Sequence, residues 1–121
     1  MITQQDIGGI LEDYDQLKLR IGMTASHSAL DICDGAIEEG FPTVAYCQSG
    51  REKLYSEYFR TQRSSSGRVK RGMVDKAVTL DRFDGILEPQ FQSGMRDRNM
   101  IFIPNRAFTS YCNIDAIEND F

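Results

Sequence analysis

Ser26-His27-Ser28 is the segment with the greatest chemical potential, placing two hydroxyls around the only imidazole in a 121-residue chain. It falls where an apolar run, residues 19–24, hands over to a helical pattern at 29–38. The first N–H groups of a helix lack intrahelical partners and its positive dipole end favours an anion, so this turn suits a phosphate or a polarised carbonyl. The same residues would also serve as a plain helix cap, with His27 on the surface. Gly50-Arg51 closes the next apolar run, and an arginine fork can give a phosphate two hydrogen bonds at once. Pairing with Glu52 or with water is the alternative for Arg51. Pro104-Asn105-Arg106-Ala107-Phe108 follows a third such run.

Those turns need elements to hold them. Thr3 as N-cap, with Ile7, Ile10, Leu11 and Tyr14 at helical spacing, predicts a leading helix within residues 1–18, frayed or bent at Gly8-Gly9. Strands are expected at 19–24, 41–47, 74–80 and 100–104. Helices are expected at 29–38, 52–59 and 83–98, the last broken near Pro89. A helical turn at 107–111 and an acidic segment at 113–121 complete the chain. Strands alternating with helices predict an α/β fold, a Rossmann-like three-layer domain with a short parallel sheet. In that class ligands sit outside the carboxyl ends of the strands, where all three turns fall.

Residues 61–72 contain Arg60's neighbours Arg63, Arg68, Lys70 and Arg71 around a Ser64-Ser65-Ser66-Gly67 run, and are expected to form a mobile basic loop. It would either close over phosphates or remain a solvated surface. With no interleaved aromatic residues for base stacking, and a net charge of -4, nucleic acid is not an expected partner. No apolar stretch approaches a membrane span and the N-terminus does not resemble a signal peptide, so a cytoplasmic protein without a membrane partner is expected. Cys33, Cys47 and Cys112 are widely spaced and sit among apolar or small residues, which predicts buried free thiols and no metal site. Walker A, G-x-G-x-x-G and G-x-S-x-G are absent, and no catalytic set can be assembled.

Taken in order, Thr24-Ala25-Ser26-His27-Ser28-Ala29-Leu30, Asp34-Gly35-Ala36, Glu39-Gly40-Phe41, Cys47-Gln48-Ser49-Gly50-Arg51-Glu52, Ile101-Phe102-Ile103-Pro104 and Asp115-Ala116-Ile117-Glu118-Asn119 resemble a known arrangement. It is that of the N-terminal, preATP-grasp domain of 5-formaminoimidazole-4-carboxamide ribonucleotide (FAICAR) synthetase, the PurP family of archaeal purine biosynthesis. The resemblance implies a domain that helps to hold 5-aminoimidazole-4-carboxamide ribonucleotide (AICAR) beside an ATP-grasp domain. There ATP and formate give formyl phosphate, which the AICAR amine attacks to form FAICAR. By position, His27 becomes the expected AICAR contact, with Ser26, Ser28 and Arg51 as neighbours. The family's Pro-His-x-Ser-Phe reads Pro104-Asn105-Arg106-Ala107-Phe108 here, so Ala107 stands where a serine would meet ligand. A lost polar contact is worth roughly 1–3 kcal/mol.

Residues 1–121 are thus expected to be a single ribonucleotide-binding unit lacking the ATP-grasp domain. It would not be catalytic alone, with no cofactor of its own, and ATP and magnesium would be held by an ATP-grasp partner in cis or in trans. A homo-oligomer is expected. The rival expectations are a non-catalytic assembly domain with a decayed pocket, and a sensor for another phosphorylated metabolite.

Overall fold

The computed structural model describes residues 2–26 and 28–121, apart from the side chain of Asp120; His27 lies outside the described residues. Four strands form one parallel sheet: β1 (Arg20–Thr24), β2 (Thr43–Gln48), β5 (Lys76–Leu80) and β6 (Met100–Phe102), in the order β5-β2-β1-β6. Ile21 to Thr24 pair with Thr43 to Tyr46, and Arg20 to Gly22 with Met100 to Phe102.

Both faces of the sheet are covered, which is why β2 reads as an unbroken apolar run. Ala45 and Cys47 point to one side, where Met23 packs with Ala29 and Cys33 of α2 (Ala29–Glu38), Tyr55 and Val74. Val44 and Tyr46 point to the other. They meet Ile86 of a 3-10 turn (Phe83–Leu87), Met95 of α3 (Pro89–Asp97) and Phe108 of α4 (Arg106–Tyr111). Phe102, Phe108 and Phe121 stack with ring centroids about 5 Å apart and join α5 (Ile114–Asp120) to β6. The structure is therefore the expected three-layer α/β domain.

Several local expectations change. Helix α1 (Gln4–Glu12) runs unbroken through Gly8 and Gly9. A reciprocal capping box, with Thr3 N–H donating to Asp6 and Asp6 N–H to Thr3 Oγ1, satisfies its first turn and offsets part of the glycine cost. The stretch read as a helix at 52–59 is a π-helical turn, Leu54–Tyr58, whose closing bond runs from Phe59 N–H to Leu54 O. Pro89 opens α3 at its first position, so the helical pattern at 83–98 is split where the proline predicts.

Residues 61–72, expected as a basic loop, instead form an antiparallel ribbon of β3 (Gln62–Arg63) and β4 (Val69–Arg71). The Arg63 guanidinium pins it by donating to Asp75 at 2.7 and 2.9 Å, and Asp75 in turn accepts from Thr43 N–H. Asp75 and Thr43 stand at the amino ends of β5 and β2. The basic ribbon is consequently rooted at the sheet edge opposite the carboxyl-end turns, roughly 16 Å away by the rise of a five-residue strand.

All three cysteines are buried free thiols. Burial pushes the Cys33 thiol up to about 11 and the Cys47 thiol up to about 12, and raises that of Cys112. An aromatic disulfide reagent should therefore leave the folded protein untouched at neutral pH and titrate all three thiols in denaturant. Because the unfolded chain loses these protons first, stability should fall as pH rises above about 9, the ordinary thiol value, towards 11. Urea melts across that range check the sign.

Candidate functional site

The chain runs outward from β1 to β2 to β5, then crosses back to place β6 on the other side of β1. The order of strands reverses between β1 and β6, and the crevice outside their carboxyl ends is where open α/β sheets place ligands. Ser26 and Ser28 follow β1, and Asn105 to Ala107 follow β6, so two of the three candidate turns flank that crevice.

Asn105 ties them together. Its Oδ1 accepts from the Thr24 hydroxyl, and its Nδ2 donates to Thr24 O at 2.8 Å and reaches Ser26 O at 3.5 Å. The same Oδ1 accepts from Phe108 N–H at 3.2 Å, which makes Asn105 the N-cap of α4. An asparagine three residues before Phe108 and just after a proline is a legible cap signal. Its bridge to buried Thr24 is not legible, because it spans 81 residues.

Ser28 is exposed, occupies the N-cap of α2 and has φ 62°, a left-handed conformation that costs a non-glycine residue roughly 1–2 kcal/mol. Its side chain makes no capping bond, so the plain capping role is not what holds serine here. Ser26 is half-buried, and its carbonyl takes Ala29 N–H at 2.9 Å. Strain of this kind gathers at binding turns.

Arg51 lies in the turn after β2, where its N–H donates to Gln48 O at 3.0 Å and Gly50 has φ 91°. Ala25 N–H donates to Tyr46 O at 2.8 Å, so the ends of β1 and β2 adjoin and Arg51 shares their edge. Among the described residues Arg51 forms no ion pair, and the Glu52 carboxylate accepts from Gly50 N–H at 2.7 Å instead. Ala107 is 2% exposed, packed under the first turn of α4, and presents no side-chain donor.

The roomiest of the described grooves, about 800 Å³ between α1 and α3, lies elsewhere. Asp6, Asp13 and Asp97 surround a single Arg96 there, a balance that repels a phosphate. Among the described residues no group of three or more His, Cys, Asp or Glu side chains is placed to hold a metal ion. Nor is any helix among them long and apolar enough to cross a membrane.

Fold and strand order together define a Rossmann-like α/β domain with a topological switch point between β1 and β6. The chain belongs to the family described as a protein of unknown function, DUF1246, which matches residues 21–121. It is similar to a protein of Methanopyrus kandleri named 5-formaminoimidazole-4-carboxamide-1-(beta)-D-ribofuranosyl 5'-monophosphate synthetase, 33% identical over 121 residues. Proteins of the same name from Methanobrevibacter smithii and Archaeoglobus fulgidus are 33% identical over 120 residues and 35% over 102. The first two matches cover 100% and 99% of this chain and the third 84%, but only 30%, 30% and 25% of the relatives.

Proposed function

We propose that this chain is the AICAR-binding N-terminal part of a FAICAR synthetase-type ligase. The observation that carries the reading is identity of about a third along the whole chain to proteins bearing that name. The strand-order reversal between β1 and β6, where open α/β sheets take ligands, supports locating the ligand there. In this reading the Ser26 and Ser28 hydroxyls and the positive end of α2 receive the 5'-phosphate, Arg51 approaches it from the end of β2, and His27 contacts the AICAR group. Asn105 keeps the β1 and β6 turns in register. Ala107 contributes packing.

In this reading ATP and magnesium are held by an ATP-grasp domain, in cis or in trans. When bound there, ATP supplies the phosphoryl group that activates formate. The residues of this chain bind and orient the acceptor.

Calorimetric titration with AICAR monophosphate and with its unphosphorylated nucleoside tests the reading. The monophosphate should bind and the nucleoside should not. Arg51→Ala should weaken binding about tenfold through loss of one charge-assisted contact, and His27→Ala should weaken it too. Ser28→Gly separates a ligand role from a structural one. Glycine relieves the left-handed strain and should stabilise the fold by about 1 kcal/mol while reducing affinity. Silence from both compounds, or parental affinity in all three variants, would overturn the assignment.

A further inference from the structure

A second groove, of about 400 Å³, lies on the other flank of the molecule between α3 and the edge strand β5. Its floor is Val78, half-buried, and Tyr46, which is 1% exposed. Phe91 and Gly94 of α3 form one wall, and an added Cβ on Gly94 would meet nothing within 4 Å. The missing side chain thus leaves open the sheet surface that a larger residue would cover. Lys76 and Arg98 stand at the mouth, both exposed and without an ion pair among the described residues. The Tyr46 hydroxyl is turned to the Met100 sulfur at 3.6 Å.

The electrostatics are unusual for this chain. It carries 18 acidic residues against 14 basic ones, yet none of those carboxylates lines the groove. Two cations over an apolar, aromatic-walled floor complement a ligand with a flat apolar body and one anionic end. The volume falls in the range of small-molecule sites.

We propose that this groove is a binding site for a small amphipathic anion, its apolar body on Val78 and Phe91 and its phosphate or carboxylate between Lys76 and Arg98. The site is independent of the crevice between β1 and β6, so its ligand does not compete there. Titrating the 15N-labelled chain with phenyl phosphate, benzoate and inorganic phosphate tests it. Saturable movement of the Ala77, Gly94 and Arg98 amide signals is expected with phenyl phosphate or benzoate, and whichever binds identifies the anionic group. Inorganic phosphate should bind about tenfold more weakly, lacking the apolar contact. Arg98→Gln should weaken binding about tenfold, and Gly94→Leu, a change that raises helix propensity, should block it by filling the groove. Arg51→Ala should leave it unchanged. Still signals with both aromatic probes, or parental binding by Arg98→Gln and Gly94→Leu together, would overturn the proposal.

Discussion

Replacing Asn105 by alanine should lower folding stability by roughly 2–4 kcal/mol, a large effect for one half-exposed polar residue. The change removes the N-cap of α4, which is worth about 1 kcal/mol. It also strips Thr24, 0% exposed, of the acceptor for its hydroxyl and of a donor to its carbonyl. A buried polar group left without a partner costs about 1–3 kcal/mol, whereas an exposed one merely returns to water. Asn105→Asp keeps the oxygen that caps Phe108 but loses the amide donor to Thr24 O, so it should fall between alanine and the parent. Urea midpoints at constant slope measure the difference. An alanine variant within about 0.5 kcal/mol of the parent would show that water replaces the bridge and that the two turns are not mechanically joined. With the bridge lost, the β1 and β6 turns are free to separate, and AICAR affinity should drop even where the fold survives.

The layers of this fold were legible because their signal is periodic and local. The apolar runs at 19–24 and 41–47, separated by a helical pattern ending near Gly40, predict two parallel strands and their crossover within one or two residues of β1, α2 and β2. The ribbon at Gln62–Arg63 and Val69–Arg71 was not legible. Its flanks are charged, so no alternating apolar face marks it, and what fixes it is an ion pair to Asp75, twelve residues on, that hydrophobic periodicity does not register. The π-helical turn at Leu54–Tyr58 escapes for a different reason. One altered bond, Phe59 N–H to Leu54 O, leaves the spacing of Tyr55 and its neighbours within what an ordinary helix would show.

At the site, residue types were readable and conformations were not. Ser26, Ser28 and Arg51 are marked by their place after apolar runs, yet the left-handed Ser28 without a capping bond depends on how the whole turn is held. Asn105 reads as a departure from a family pattern, and only the packed structure shows it bonded across the crevice. Lys76, Arg98 and Gly94 carry no sequence signal at all, since a groove is made by what α3 fails to cover.

Gly72→Ala should be strongly destabilising for a single added methyl. Gly72 has φ +80°, which already costs alanine roughly 1–2 kcal/mol, and an added Cβ would overlap Arg60 O and come within 2.9 Å of Phe59 O. Those atoms are backbone and cannot swing aside. The Phe59 carbonyl accepts from both Met73 N–H and Val74 N–H, and Val74 is 1% exposed in the core, so relief of the overlap must loosen core packing. The total should reach about 3 kcal/mol or more. Gly67→Ala is the matched control, with φ +86° but nothing within 4 Å of the added carbon, and should cost only about 1 kcal/mol. The difference between the two, read from urea midpoints, isolates the steric term from the backbone term. Because Gly72 lies at the amino edge of the sheet, the folded fraction of Gly72→Ala should still bind AICAR with parental affinity. Loss of binding in that folded fraction would place the ligand at the wrong end of the sheet and undo the case for the switch-point crevice.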